Sequence, residues 1–173
     1  DWVVLVFTPG NDVRNNHPDL EREPLKPYFH LENGTLALTP PVIHESWVRS
    51  LNRFFLDRSH FYRFSIQRIL RIAKTKSTQE DGIPSDFGIY ACDTAPIWQE
   101  AWAVTEQLLT ELRDAVEADG AHFLMVSNTS FTDIHADGGK ADILFNTYPA
   151  MADGCWDLSK PTQQLAAIAS RHK

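Results

Sequence analysis

Trp2-Val3-Val4-Leu5-Val6-Phe7 decides the fold. Six apolar residues in succession show no alternation between an inward and an outward face. The run therefore reads as a strand buried on both sides, the pattern of a parallel sheet covered by helices. His122-Phe123-Leu124-Met125-Val126 repeats the pattern far along the chain. Two such strands do not make a sheet that stands alone. The expectation is an α/β fold, a three-layer sandwich around a parallel sheet, carried incompletely by this chain. An interior strand starting at residue 2 also leads us to expect sequence in front of Asp1.

Between the two strands the pattern is helical. Thr94-Ala95-Pro96 opens the clearest helix, since proline in the first turn forfeits no hydrogen bond. Trp98, Ala101, Trp102, Thr105, Leu108, Leu109, Leu112 and Val116 form its apolar stripe, and Gly120 stops it. A last helix is expected from about Ser159-Lys160-Pro161 to the end, with Leu165, Ala166, Ile168 and Ala169 turned inward. Thr8-Pro9-Gly10-Asn11-Asp12 reads as a turn, followed by polar chain. Asn33-Gly34 sits between Tyr28–Leu31 and Thr35–Leu38, which signals a hairpin. Residues 75–88 read as loop.

The 173 residues suffice for one domain with a core of its own, and 43% of them are hydrophobic against 23% charged. No apolar run approaches the ~18 residues that cross a bilayer. The formal charge of −7 is uneven: residues 44–76 carry eight bases and two acids, leaving −13 for the rest. That segment has an aromatic stripe (Phe54, Phe55, Phe61, Tyr62) opposite its arginines. It reads as an insertion helix pair, or as a lid or module meeting an anionic membrane surface. The acidity of the remainder argues against nucleic acid. Cys92 and Cys155 pair only if folding brings them together, and two cysteines leave the compartment open.

In open parallel sheets, ligands bind beyond the carboxyl ends of the strands. If the two strands are parallel, one rim collects Gly10, Asn11, Asp12, Arg14, Asn15 and Asn16 from the first loop. It also collects Ser127, Asn128, Ser130, Asp133 and His135 from the second. Gly10 is read as permitting a tight turn and Asn11 as an amide donor suited to an oxyanion. The competing reading has Asn11 and Asp12 bonding only their own backbone. Ser127 or Ser130 with His135 and Asp133 or Asp137 contains the residue types of a triad. Residues crowded on one loop seldom reach that geometry. His135 and Asp137 are too few to hold a metal.

The thirteen residues Val4–Asn16, with Gly10-Asn11-Asp12-Val13-Arg14-Asn15-Asn16 at their end, resemble the third conserved block of the SGNH (GDSL-like) hydrolases, in a large-insertion subgroup. The resemblance extends through Pro27–Phe29, Trp98–Gly120 with the following strand, and Leu158–Lys173. It implies the SGNH-hydrolase or flavodoxin-like version of the sandwich, with residues 13–90 as a helical and β-ribbon insertion. It also implies a cofactor-free serine esterase or lipase-like activity on carboxylic esters. In that family a serine after the first strand is the nucleophile and a late Asp-x-x-His completes the triad. A backbone glycine and the third-block asparagine form the oxyanion hole. Only the asparagine carries over, onto Asn11. The expectation is an internal piece of an esterase that supplies the oxyanion donor without nucleophile or base. Its exposed sheet edges are expected to favour self-association. The rival expectation is a non-catalytic interaction or membrane-surface module built on residues 44–76.

Overall fold

A computed structural model describes residues 1–21, 26–41, 58, 83–128 and 144–172. Strands β1 (Trp2–Phe7) and the later β4 (His122–Ser127) pair in parallel, from Trp2 opposite His122 to Phe7 opposite Ser127. Between them come helices α1 (Pro9–Asn15) and α2 (Pro18–Glu21), a hairpin of β2 (Tyr28–Glu32) and β3 (Thr35–Thr39), a 3-10 helix at Ser85–Tyr90, and helix α3 (Pro96–Ala118). After β4 the described chain closes with a 3-10 turn at Pro149–Met151 and helix α4 (Lys160–Arg171). The class is α/β with a small parallel sheet, as the two apolar runs suggested.

The hairpin forms where Asn33-Gly34 signalled it. Asn33 (φ 52°) and Gly34 (φ 84°) both take the left-handed conformations that match the twist of the flanking strands. Helix α3 starts at Pro96 and ends before Gly120, whose φ of 76° closes the C-terminus with a bond from its N–H to Glu117 O at 3.0 Å. Its stripe is buried at Trp98, Ala101, Trp102, Thr105 and Leu109, with Val104 joining it, while Leu108 is half-buried and Leu112 is 40% exposed.

One core gathers on one face of the strand pair. Phe7, Val13, Ile89, Tyr90, Trp98, Ala101, Trp102, Leu109, Leu165 and Ile168 are buried together, with Leu5 and Met125 turned toward them from the strands. Burial of a large apolar side chain is worth roughly 1.5–3 kcal/mol. Val13 and Tyr90, at the two ends of the expected insertion, both belong to this core. The packing at Gly88 is close: a Cβ there would stand 2.2 Å from Trp98 Nε1.

Three expectations are corrected. Trp2, Val4, Val6, Leu124 and Val126 are 67, 54, 62, 45 and 45% exposed, so among the described residues β1 and β4 are covered on one face only. A continuous apolar run shows that both faces are apolar; it does not show that both are covered. The stretch after Phe7 is no open turn but α1, which begins one residue beyond its N-cap, Thr8. Pro9 fits the first helical position. Asp12 Oδ2 accepts the Thr8 N–H at 2.7 Å, relieving one of the donors left bare at the helix start. Likewise the 3-10 helix begins at Ser85, inside the stretch read as loop.

The cysteines pair. Cys92 and Cys155 form a disulfide across 63 residues of sequence. Backbone bonds run beside it, Cys92 N–H to Cys155 O at 3.0 Å and Asp157 N–H to Tyr90 O at 2.8 Å. Lys160 Nζ donates to the carbonyls of Ala91 and Cys92 and to Thr94 Oγ1, tying the first turn of α4 to the approach to α3. The basic segment 44–76 lies outside the described residues, apart from Arg58.

Candidate functional site

Parallel register places the ends of β1 and β4 on one rim. The Asn128 N–H donates to Phe7 O at 2.7 Å, and Asn128 Nδ2 approaches Thr8 Oγ1 at 3.4 Å. The two loops expected on this edge thus meet at their first residues. Ser127 is half-buried at the end of the register, and Asn128 is exposed. Ser130, Asp133, His135 and Asp137 lie outside the described residues, and with them the loop triad and the candidate metal pair. Among the described residues no group of three His, Cys, Asp or Glu side chains comes together to hold a metal.

Helix α1 sorts the other candidates by its period. Val13 points inward and is wholly buried. Asn16, just past the helix, turns toward α3, where its Nδ2 donates to Thr105 Oγ1 at 3.0 Å. Asp12 caps the helix start. These two are held in structural bonds, as the backbone-bonding reading held for Asp12. Gly10 has no left-handed φ, and a Cβ on it would meet only the Tyr90 hydroxyl at 3.6 Å. The expected need for glycine at a tight turn is therefore not met here, because Gly10 is a helical residue.

Asn11, Arg14 and Asn15 form a polar network with partners from two other elements. Arg14 Nη2 donates to Asn11 Oδ1 at 3.2 Å, and Arg14 Nη1 donates to Asp86 Oδ2 at 2.8 Å. Arg14 Nε lies 3.1 Å from Glu21 Oε2, an ion-pair distance without hydrogen-bond alignment. The Asn15 amide satisfies both its ends when its nitrogen faces Glu21 Oε2 (2.8 Å) and its oxygen accepts from Asn11 Nδ2 (3.1 Å). The second N–H of exposed Asn11 has only a 3.5 Å approach to Asp12 Oδ1. It belongs to an exposed amide whose oxygen accepts from Arg14.

Sequence reasoning missed Asp86 and Glu21. Glu21 lies seven positions beyond Arg14, but Asp86 lies 72 residues away and no local pattern joins it to Arg14. A groove of about 570 Å³ is found elsewhere, between the C-terminal halves of α3 and α4 and the first half of β4. Leu109, Phe123, Met125 and Ile168 line it, with Arg113 and His172 at its side; no rim residue does. Charge is perturbed away from the rim as well. Hydrogen bonds from Arg171, then from His172, hold the Glu106 carboxyl below its usual range against the opposing effect of burial. Ser159 does the same for Asp157. No protein-family model, curated protein or solved structure matches the chain.

Proposed function

We propose that the chain is part of an SGNH-type serine hydrolase of carboxylic esters. It contributes Asn11 as an oxyanion donor and is not catalytically complete by itself. The fold in this reading is the three-layer sandwich, with a further layer over the apolar face that carries Val4 and Leu124. The observation that supports it most is the pinned Asn11 amide, standing four residues past the end of a parallel strand. An ester bound over the rim would place its carbonyl oxygen against Asn11 Nδ2. As the oxygen gains charge in the tetrahedral intermediate, a donor already fixed in place stabilises it without reorganising. Asn128 borders the same edge and would shape the cleft.

The test is kinetic. In the esterase that carries this chain, Asn11→Ala is expected to lower kcat by ~10²–10³ with KM little changed, because the donor acts on the transition state. An unchanged kcat refutes the assignment. The isolated chain should cleave a short-chain nitrophenyl ester no faster than a heat-treated sample. Turnover that disappears in Ser127→Ala would instead place the nucleophile on the loop after β4.

The apolar face that the described residues leave uncovered favours a second reading, in which copies of the chain associate through the sheet. The membrane-surface alternative rests on residues 44–76 and on their sequence alone.

A further inference from the structure

We infer that Arg14 is the positioning residue of the Asn11 amide: it decides which end of that amide is presented to the rim. The inference rests on the esterase reading and goes one step further into the same site. An asparagine amide is nearly symmetrical in shape, but its two ends are opposite in chemistry. The NH₂ end stabilises an oxyanion, whereas the oxygen end repels one. Sterics alone choose weakly between them, so the choice falls to the neighbours.

Guanidinium carries donors and no acceptor. Arg14 Nη2, at 3.2 Å, can therefore hold Asn11 only by its oxygen, which turns Nδ2 the other way. With the Asn15 amide turned so that its nitrogen meets Glu21 Oε2, its oxygen stands 3.1 Å from Nδ2 and accepts from it, which is consistent with the orientation that Arg14 sets. Arg14 is itself braced. Asp86, from the 3-10 helix, takes Nη1 at 2.8 Å, and Glu21 stands 3.1 Å from Nε across the turn after α1. With its nitrogens facing Asp86, Asn11 and Glu21, and its side chain only 25% exposed, Arg14 is engaged by the protein. It is not poised to receive an anionic substrate. Its planar fork is what lets one side chain reach an acid and an amide together, so lysine is no substitute.

Two measurements test this. In the 173-residue chain, NOEs from the Asn11 Nδ2 protons report which way the amide faces, toward Asn15 or toward the Arg14 guanidinium, and whether it keeps one orientation. Asn11 should be fixed in the parent and averaged in Arg14→Gln and in Arg14→Lys. Asn16, bonded to Thr105, should stay fixed in all three and show that the fold survives. Should Arg14→Gln disturb the fold, Asp86→Asn removes the brace more gently and should loosen Asn11 in the same direction. Asn11 fixed in every variant, or averaged in the parent, overturns the inference. In the hydrolase, Arg14→Gln should lower kcat about tenfold at constant KM, the scale expected when a donor is misplaced rather than deleted. The double variant Asn11→Ala/Arg14→Gln should be no slower than Asn11→Ala alone. If Asn11→Ala slows the enzyme while Arg14→Gln does not, or if the two losses multiply, the positioning role falls and the oxyanion reading stands. If Asn11→Ala has no effect, both fall together.

Discussion

Asn16 Nδ2 donates to Thr105 Oγ1 at 3.0 Å, joining the segment after α1 to a wholly buried hydroxyl in α3. The Thr105 hydroxyl in turn donates to Ala101 O at 2.7 Å, so its single proton and one lone pair are both used. Asn16 is thereby a polar link between the strand-end motif and the central helix, beside His17, whose Nε2 lies 3.4 Å from Glu100 Oε2. Thr105→Val keeps the shape and strands the Asn16 amide. Loss of a bond of this kind costs about 0.5–1.5 kcal/mol. Denaturant midpoints for Asn16→Ala, Thr105→Val and the pair should give a coupling of that order. Additive losses would show that the bond contributes nothing.

The disulfide should contribute more. Closing a loop over 63 residues removes conformational freedom from the unfolded chain worth about 4 kcal/mol in the chain-entropy account. Reduction, or Cys92→Ala with Cys155→Ala, should lower the urea midpoint sharply and raise the slope, because the unfolded chain freed of the ring is less compact. Equal midpoints with and without reductant would mean that Lys160 and the neighbouring backbone bonds hold this corner by themselves.

Acid should loosen α4 from α3 through Glu106. Its carboxylate accepts from Arg171 Nη2 at 2.8 Å and from His172 Nε2 at 2.8 Å, and these bonds lower its pKa on folding. A carboxyl lowered on folding adds stability above its unfolded value, and that gain is lost as the pH falls through the folded value. The loss therefore sets in below about pH 4.5. Glu106→Gln should be less stable than the parent at neutral pH and should converge on it in acid. Because Arg171 is 54% exposed, salt should shrink the difference. A constant gap between the two proteins down to pH 3, on the order of a unit below the carboxyl's range, would refute the assignment.

The sheet face left open among the described residues predicts association. The Trp2 and His122 rings meet at 4.8 Å, tilted by 41°, at one end of it, and Val4, Val6, Leu124 and Val126 continue the apolar surface. Unpaired strand edges beside such a surface recruit another chain. Light scattering should show mass rising with concentration, and Val4→Lys combined with Leu124→Lys should return the protein to monomer. A monomer at every concentration would show that the face is covered.

Much of this architecture could be read locally. Pro96, the stripe from Trp98 to Leu109 and Gly120 mark α3 without help from the rest of the chain. Asn33-Gly34 marks the hairpin in the same way, since its left-handed pair has few other solutions. Helix α1 was harder to see, because Gly10-Asn11-Asp12 has the composition of a turn. The bond from Thr8 N–H to Asp12 that makes it a helix start is a matter of geometry. The pairing of Cys92 with Cys155, the brace of Asp86 on Arg14 and the grip of Thr105 on Asn16 join residues 63, 72 and 89 positions apart. No periodicity spans such distances. Asn11 was legible as a candidate from its place after a strand; what holds its amide was not.

The disulfide also has a mechanical meaning. It makes residues 92–155 a covalent ring that contains α3 and β4, with the two arms of the chain leaving from neighbouring points. Tension applied at Asp1 and at the C-terminal helix would pass from Cys92 to Cys155 through sulfur and bypass everything between them. On the order of 200 Å of polypeptide, at ~3.3–3.6 Å per extended residue, is thereby kept out of the stretched contour until the bond is reduced. Under load the oxidised chain is a short tether carrying a protected loop, and the reduced chain is a long one.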